Sequence, residues 1–462
     1  MSWNDLPPEL RLPIIQIVAA SDGSIASYAA VDKEWQNAIE AVTFRSLKIT
    51  LTSVSEFTKH FSHQARRQCF LKHLHLCVNM QVARLLDTEE WEYVMTEDIT
   101  GATKDFSKLV SLAFASLEQW DAVEVLRRPD GGLDLELSVF SDAYSTVDSV
   151  RDNISENFGR RIFHPLFRSN IGLWDGFDYF SGSKDAIRLG RGGLPVVEVI
   201  TKFSVLRRSI CNISQKTILH IFASLPNLAR VHIEPGHGDD HILRQGTDID
   251  LAHFLPMWPT SIKCIQIIRH YEGHVYHRRP HGSEFAHLGA TVAAHSFPLQ
   301  ELAACHLIEA DDFFEEAKRL QIIQPRLWGN LLFLTLTSEL ILRAMPGKRD
   351  IQEDAHKNQL LNLLLQKAGE SAKFMPVLRM MEIFNGEQME TLNEDEIEVY
   401  NNDPNAATFR YAVENGKATV SWAGTWPFQL DSHVRLAWEE VAQQGNLELQ
   451  ILPEEIEPII YD

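Results

Sequence analysis

Leu228-Ala229-Arg230-Val231-His232-Ile233, Ile262-Lys263-Cys264-Ile265-Gln266-Ile267 and Leu331-Leu332-Phe333-Leu334-Thr335-Leu336 share one pattern: apolar-x-x-apolar-x-apolar. It recurs at Leu71/Leu74/Leu76 and Leu109/Leu112/Phe114, with a degraded copy at Leu299/Leu302. The last two apolar positions lie two residues apart, so in an extended chain they point to the same side. Intervening stretches such as Gln215–Leu225 and Asp311–Leu320 read as helices. Strand and helix in alternation predict parallel strands joined by helical crossovers. Copies adjacent in sequence are separated by 32 to 38 residues, and the region from about 115 to 225 holds no clean copy.

The hexamer resembles the strand of a leucine-rich repeat, whose inward side chains form a continuous core. That resemblance implies an irregular, insertion-rich α/β solenoid over residues 51–345, with a curved surface suited to binding a protein. The alternative is an unrelated α/β domain whose parallel strands simply read as apolar runs.

Toward the N-terminus, Asp5 is placed to cap a helix beginning at Pro7 and Pro8, where a missing N–H costs nothing. Leu6, Leu10, Ile14 and Ile17 recur along it at helical spacing. Asp22-Gly23-Ser24 breaks that helix and opens a second over Ile25, Tyr28 and Val31. Asp32 caps a third, with Trp35, Ala38, Ile39 and Val42 on one face. Three helices this short bury too little to be stable alone, so their surplus apolar residues face the rest of the chain or a partner.

The motifs Leu6-Pro7-Pro8-Glu9-Leu10-Arg11 and Val31-Asp32-Lys33-Glu34-Trp35 resemble the two ends of an F-box, over roughly residues 4–47. The resemblance implies docking on the Skp-type adaptor of a cullin–RING ubiquitin ligase. Leu6, Pro7, Leu10, Ile14, Val31 and Trp35 then match adaptor-binding or core positions, two roles the sequence does not separate. Pro13, inside the first helix, and Asp32, where a small residue or Cys is usual, depart from the family pattern.

The whole chain has 462 residues, 45% of them hydrophobic and 23% charged, an ordinary globular composition with room for two or three domains. Its 43 basic and 63 acidic residues leave a net charge of −20, which argues against a nucleic-acid partner. No run approaches ~20 apolar residues, so no membrane partner is expected. Five scattered cysteines and no basic–apolar leader point to a reducing compartment, cytoplasmic or nuclear.

Residues 346–462 are expected to form a separate module. A helix carries Leu360, Leu361, Leu364 and Leu365 and stops at Gly369, and a strand covers 377–384. Asn415-Gly416 between two alternating runs predicts a hairpin pairing Glu414 with Lys417, Val413 with Ala418, Tyr411 with Val420 and Phe409 with Trp422. A helix over Val434, Ala437, Trp438 and Val441, stopped by Gly445, and a strand through Leu449 and Ile451 complete a four-stranded α+β unit. It resembles the uncharacterised C-terminal module of many filamentous-fungal F-box proteins.

Two histidine clusters are the candidates for chemistry: His232, His237, Asp239, Asp240 and His241, and His270, His274, His277, His281, His287 and His295. Neither meets a metallohydrolase spacing, and no nucleophile elbow, phosphate loop or Cys-x-x-Cys is present. Gly190-Arg191-Gly192-Gly193 lacks dinucleotide spacing.

The expected protein is therefore a multidomain α/β and α+β chain: an F-box over 1–50, a leucine-rich-repeat-like domain over 51–345 with an irregular insertion at about 115–225, and the module over 346–462. It has no catalytic residue, cofactor or metal. Its partners are a Skp-type adaptor, a cullin reached through it, and an unknown protein substrate. The alternatives are an F-box scaffold outside any ligase, or a metal-dependent hydrolase using one of the histidine clusters.

Overall fold

The computed structural model describes residues 6–19, 25–79, 91–128, 131–140, 188–189, 193–206, 213–235, 249–269, 283–323, 328–341, 351–385, 407–424, 426, 428–452 and 455–456. The chain is mixed α/β and divides into two compact units, one formed by Met1–Ser145 with Ile187–Ala229 and the other by Thr146–Ala186 with Arg230–Asp462.

The first unit opens with helix α1 (Pro8–Ala19), a 3-10 turn (Ala26–Ala30) and helix α2 (Lys33–Thr43). Asp32 caps α2 by accepting the Trp35 N–H at 2.9 Å, which accounts for an acidic residue at that place. Pro13 lies within α1 without ending it. The Asp5 cap lies outside the described residues. Ile15, Trp35 and Ile39 form a small core, with Val18, Ile25, Ala29 and Ala38 packed around it.

Strand β1 (Ser46–Ile49) follows α2 almost at once. Next come α3 (Val54–Phe61), α4 (Ala65–Phe70), β2 (His73–Asn79), α5 (Trp91–Leu117), α6 (Ala122–Leu126), β3 (Leu133–Phe140), β4 (Ile200–Val205) and α7 (Gln215–Phe222). Strands β1 to β4 pair in sequence order, all parallel. Leu47, Leu74, Leu135 and Phe203 share one rung, and Ile49, Leu76, Leu137 and Val205 share another. Phe222 of α7 meets Phe203 edge-on at 5.0 Å, which puts a helix on this apolar face.

The expected F-box and the region after it are continuous. Glu40 on α2 is buried and pairs with Arg66 and, at 2.7 Å, with Arg67, both on α4. Phe44 packs edge-on against Phe61 at 5.3 Å, and the Phe57 and Phe61 rings each lie 6.0 Å from Trp120. The Lys72 and His73 N–H groups both donate to the Arg45 carbonyl.

Two expectations about this unit are corrected. Leu109/Leu112/Phe114 is part of helix α5, not a strand. Phe106, Leu109, Val110, Ala113, Phe114 and Leu117 are buried and Leu112 is exposed, a 3.6-residue period that three positions alone do not show. The region without a clean repeat contains two strands of the sheet, β3 and β4. At β3 the first apolar position is Gly132, whose φ is +77° and where a Cβ would overlap the Thr201 side chain. No leucine fits there, so the hexamer is unreadable. Ile200/Phe203/Val205 of β4 has the full spacing, set within other β-branched residues.

The second unit runs β5 (Arg230–Ile233), β6 (Cys264–Ile268), α8 (Ser283–His295), β7 (Glu301–Glu309), α9 (Ala310–Ile323), β8 (Phe333–Thr337), α10 (Ile351–Ala372), β9 (Met380–Asn385), β10 (Ala407–Glu414), β11 (Lys417–Gly424), α11 (Ser432–Gln444), β12 (Leu449–Ile451) and β13 (Glu455–Ile456). Strands β5 to β9 are parallel neighbours, β10 and β11 follow antiparallel, and β12 and β13 each lie parallel to β11. One rung runs Val231, Ile265, Leu302, Leu334, Met381, Tyr411, Val420, Ile451. The next runs Ile233, Ile267, Ala304, Leu336, Ile383, Phe409, Trp422. Helices cover this face: Val292 and His295 of α8 line a small void with Ile265, Ile267, Leu302 and Ala304. Trp438 of α11 stacks on Tyr411 at 4.9 Å.

The four C-terminal strands pair as β9, β10, β11, β12, and the hairpin has the expected register. The sheet has no break at 345/346, because β9 pairs with β8 along its length. Leu378/Met381/Ile383 supplies the hexamer once more, and all three side chains are buried. Gly369 is not a helix stop: α10 continues to Ala372. A Cβ at Gly369 would lie 2.9 Å from that of Ala437, so glycine lets α10 approach α11 closely. Helix α11 ends as expected at Gln444, but the left-handed residue beyond it is Asn446, with φ +53°, rather than Gly445.

Candidate protein-docking surface

The six residues singled out at the N-terminus fall into two groups. Trp35 is buried at 8% exposure, in contact with Ile15 and Ile39. Pro7 is exposed and Leu6 half-buried. Leu10, Ile14 and Val31 are exposed at 53%, 37% and 58%. Ile17 is 71% exposed, and with Leu10 and Ile14 it falls at i, i+4 and i+7, one face of α1. Tyr28 is also exposed, its ring 5.8 Å from Trp35. Ile17 and Tyr28 belong to the same helical patterns but to neither F-box end motif.

Beneath this apolar strip the helices are fastened. Arg11 of α1 donates to Glu34 of α2 at 3.0 Å. Burial alone would raise the Glu40 carboxyl, but hydrogen bonds from Arg67, Gln36 and Arg66 outweigh it and hold the carboxyl below its usual range.

In each unit, polar side chains are linked across strands on the face opposite the apolar rungs. In the first unit Ser46 Oγ meets His73 Nδ1 at 3.0 Å, His73 Nε2 meets Glu136 at 3.0 Å, and His75 Nε2 meets Ser138 Oγ at 2.5 Å and Glu136 at 3.5 Å. Cys77 Sγ completes the chain, 3.2 Å from Ser138 Oγ. His75 reaches both the serine and the carboxylate through the same nitrogen. A Ser–His–acid relay needs one on each nitrogen, so His75 does not centre one, whereas His73 has Ser46 on Nδ1 and Glu136 on Nε2. In the second unit His232 Nδ1 meets Gln266 at 2.8 Å, His232 Nε2 meets Glu234 at 2.9 Å, and Gln266 Nε2 donates to Glu301 at 2.5 Å. Burial, and then the neighbouring Glu301, push the Cys264 thiol up to about 11. The alternation of His73 with His75, and of Asp134 with Glu136, is visible in the sequence. Their pairing depends on strand register, which is not.

Of the histidine clusters, His237, Asp239, Asp240, His241, His270, His274, His277 and His281 lie outside the described residues. His232 belongs to the ladder just described. His287 and His295 are both on α8, and His295 Nδ1 meets the Thr291 carbonyl of its own helix at 2.9 Å. Among the described residues no group of three potential ligands is placed to hold a metal ion, and no helix is long and apolar enough to cross a membrane. Cys69, Cys77, Cys264 and Cys305 are in no disulfide, and burial pushes the Cys305 thiol far above the usual range.

No curated protein matches the chain. Residues 258–460, within the second unit, match the model of a family described as a family of unknown function, DUF6546. That match runs across residue 346 and covers both β8 and β9, which pair with each other.

Proposed function

We propose that the protein is a substrate-recognition subunit of a cullin–RING ubiquitin ligase, docking on a Skp-type adaptor through its N-terminal helices. One observation carries the reading. The helices keep Trp35, Ile15 and Ile39 for their own core and leave Leu10, Ile14, Ile17 and Val31 exposed. Exposed aliphatic side chains on one helix face are the groups a partner buries in a helix-in-groove contact. In this reading Leu6, Pro7, Leu10, Ile14 and Val31 contact the adaptor, and Trp35 acts indirectly by holding α1 on α2. The parallel strands with recurrent inward aliphatic rungs support a leucine-rich-repeat-like body that holds a protein target. Ubiquitin transfer then rests on proximity. The reading places the protein in the cytoplasm or nucleus, where such ligases work.

The test is co-purification of the full chain with a Skp-type adaptor. Wild type retains the adaptor, and a Leu10→Asp, Ile14→Asp double variant with an unchanged circular dichroism spectrum loses it. A folded double variant that still retains the adaptor removes α1 from the contact. A wild type that never retains it removes the reading.

A further inference from the structure

The Glu234–His232–Gln266–Glu301 ladder of the second unit sets an imidazole between a carboxylate and a side-chain amide oxygen. Glu301 accepts from the Gln266 amide nitrogen at 2.5 Å, which fixes the Gln266 oxygen toward His232. His232 Nδ1, 2.8 Å from that oxygen, must carry a hydrogen. His232 Nε2 lies 2.9 Å from Glu234, and against an ionised carboxylate, which only accepts, this nitrogen carries one too. Turning the Gln266 amide over gives no escape, since it would set the amide oxygen against the Glu301 carboxylate. Glu234 and Glu301 are both buried at 8% exposure, so water does not readily replace a lost bond.

We infer that this ladder is a proton-dependent clamp that fastens β5 to β6 and β7, and that it loosens as His232 gives up its second proton. The groups around it follow from the strand register. Arg230, Cys264 and Glu301 share one rung, and His232, Gln266 and Ala303 share the next. Glu234 follows on the His232 side. Among the described residues, two carboxylates and one guanidinium lie on these rungs with the imidazole, together with a thiol that stays protonated. The carboxylates favour the charged ring. A histidine raised in the fold contributes stability that is whole below its unfolded value, near ~6.5, and is lost as pH rises through the folded value.

The experiment uses the full chain. Ring 15N chemical shifts at pH 7 are expected to show His232 protonated on both nitrogens. Urea unfolding between pH 6 and 9 is expected to show the unfolding constant of wild type rising up to about tenfold per pH unit faster than that of His232→Gln or Glu234→Gln, one proton's worth of linkage. Both variants remove the need for the extra proton, the second because its amide can turn to suit a neutral ring. A His232 ring carrying one hydrogen at pH 7 overturns the inference, and so does the same pH slope in all three proteins. If neither variant folds, the wild-type ring shifts alone decide it.

Discussion

Glu40→Gln tests the joint between the N-terminal helices and the strands that follow. The Glu40 carboxylate, buried at 5% exposure, receives Arg66 and Arg67 from α4 and Gln36 from its own helix. Breaking a buried ion pair by removing one partner costs about 3–5 kcal/mol, because the other charge is left stranded. Arg67 is 16% exposed and would be stranded, but Arg66 is 45% exposed and water rescues it. The expected loss at pH 7 is therefore about 2–3 kcal/mol. Its pH dependence has a definite sign. The folded carboxyl lies below its usual range, so its contribution is present above about pH 4.5 and disappears as pH falls through the lowered folded value. Hydrogen exchange of α2 amides, measured for both proteins from pH 7 down to pH 3, reads the local opening. The gap between wild type and variant should be constant down to about pH 4.5 and then close as wild type itself takes up the proton. A gap that persists unchanged at pH 3, or none at pH 7, refutes the account of this joint.

Trp438→Ala should cost about 3–5 kcal/mol in urea unfolding, and Trp438→Phe clearly less. The ring is buried against Phe409 and Tyr411, and its Nε1 donates to the Leu365 carbonyl at 3.2 Å. Ala304→Val should raise the melting temperature, by about 1 kcal/mol of added stability. It extends the one alanine among isoleucines and leucines on its parallel rung, beside a void. A lowered melting temperature would mean that the void cannot accept two methyl groups. Gly416→Ala should cost about 1–2 kcal/mol, since Asn415 and Gly416 both have positive φ, at +52° and +77°. The space around Gly416 is open, so an unchanged midpoint would show that the turn re-forms in another conformation.

What the sequence disclosed followed from local rules. The Asn415-Gly416 hairpin and its cross-strand pairs were legible because turn chemistry sets register within a few residues. Helix α2 was legible from its Asp32 cap and its apolar period. The strands at Leu228, Ile262 and Leu331 were legible because they keep all three apolar positions. Long-range demands hid the rest. Gly132 replaces the apolar residue of its hexamer because Thr201, far along the chain, needs the space. Gly369 reads as a stop because nothing local reveals that Ala437 lies beside it. The boundary expected at 346 rested on a change of local pattern, whereas the pairing of β9 with β8 is a property of the sheet. The N-terminal residues form a single undivided set in the sequence, and burial separates Trp35 from its exposed neighbours.

The hairpin that follows β9 also bears on the order in which the second unit assembles. Each parallel rung from β5 to β9 requires the chain to close a long crossover, such as the one through all of α10, before any cross-strand contact is gained. The β10–β11 pair needs only its two-residue turn and closes on the scale of about 1–10 μs. Synthesis therefore delivers the slow elements of β5 to β9 before the fast hairpin. Until the hairpin emerges, β9 presents an unpaired edge of backbone donors and acceptors, the kind of edge that templates aggregation. A chain terminated after residue 385 would keep every parallel rung from β5 to β9 and lose the strand that seals them.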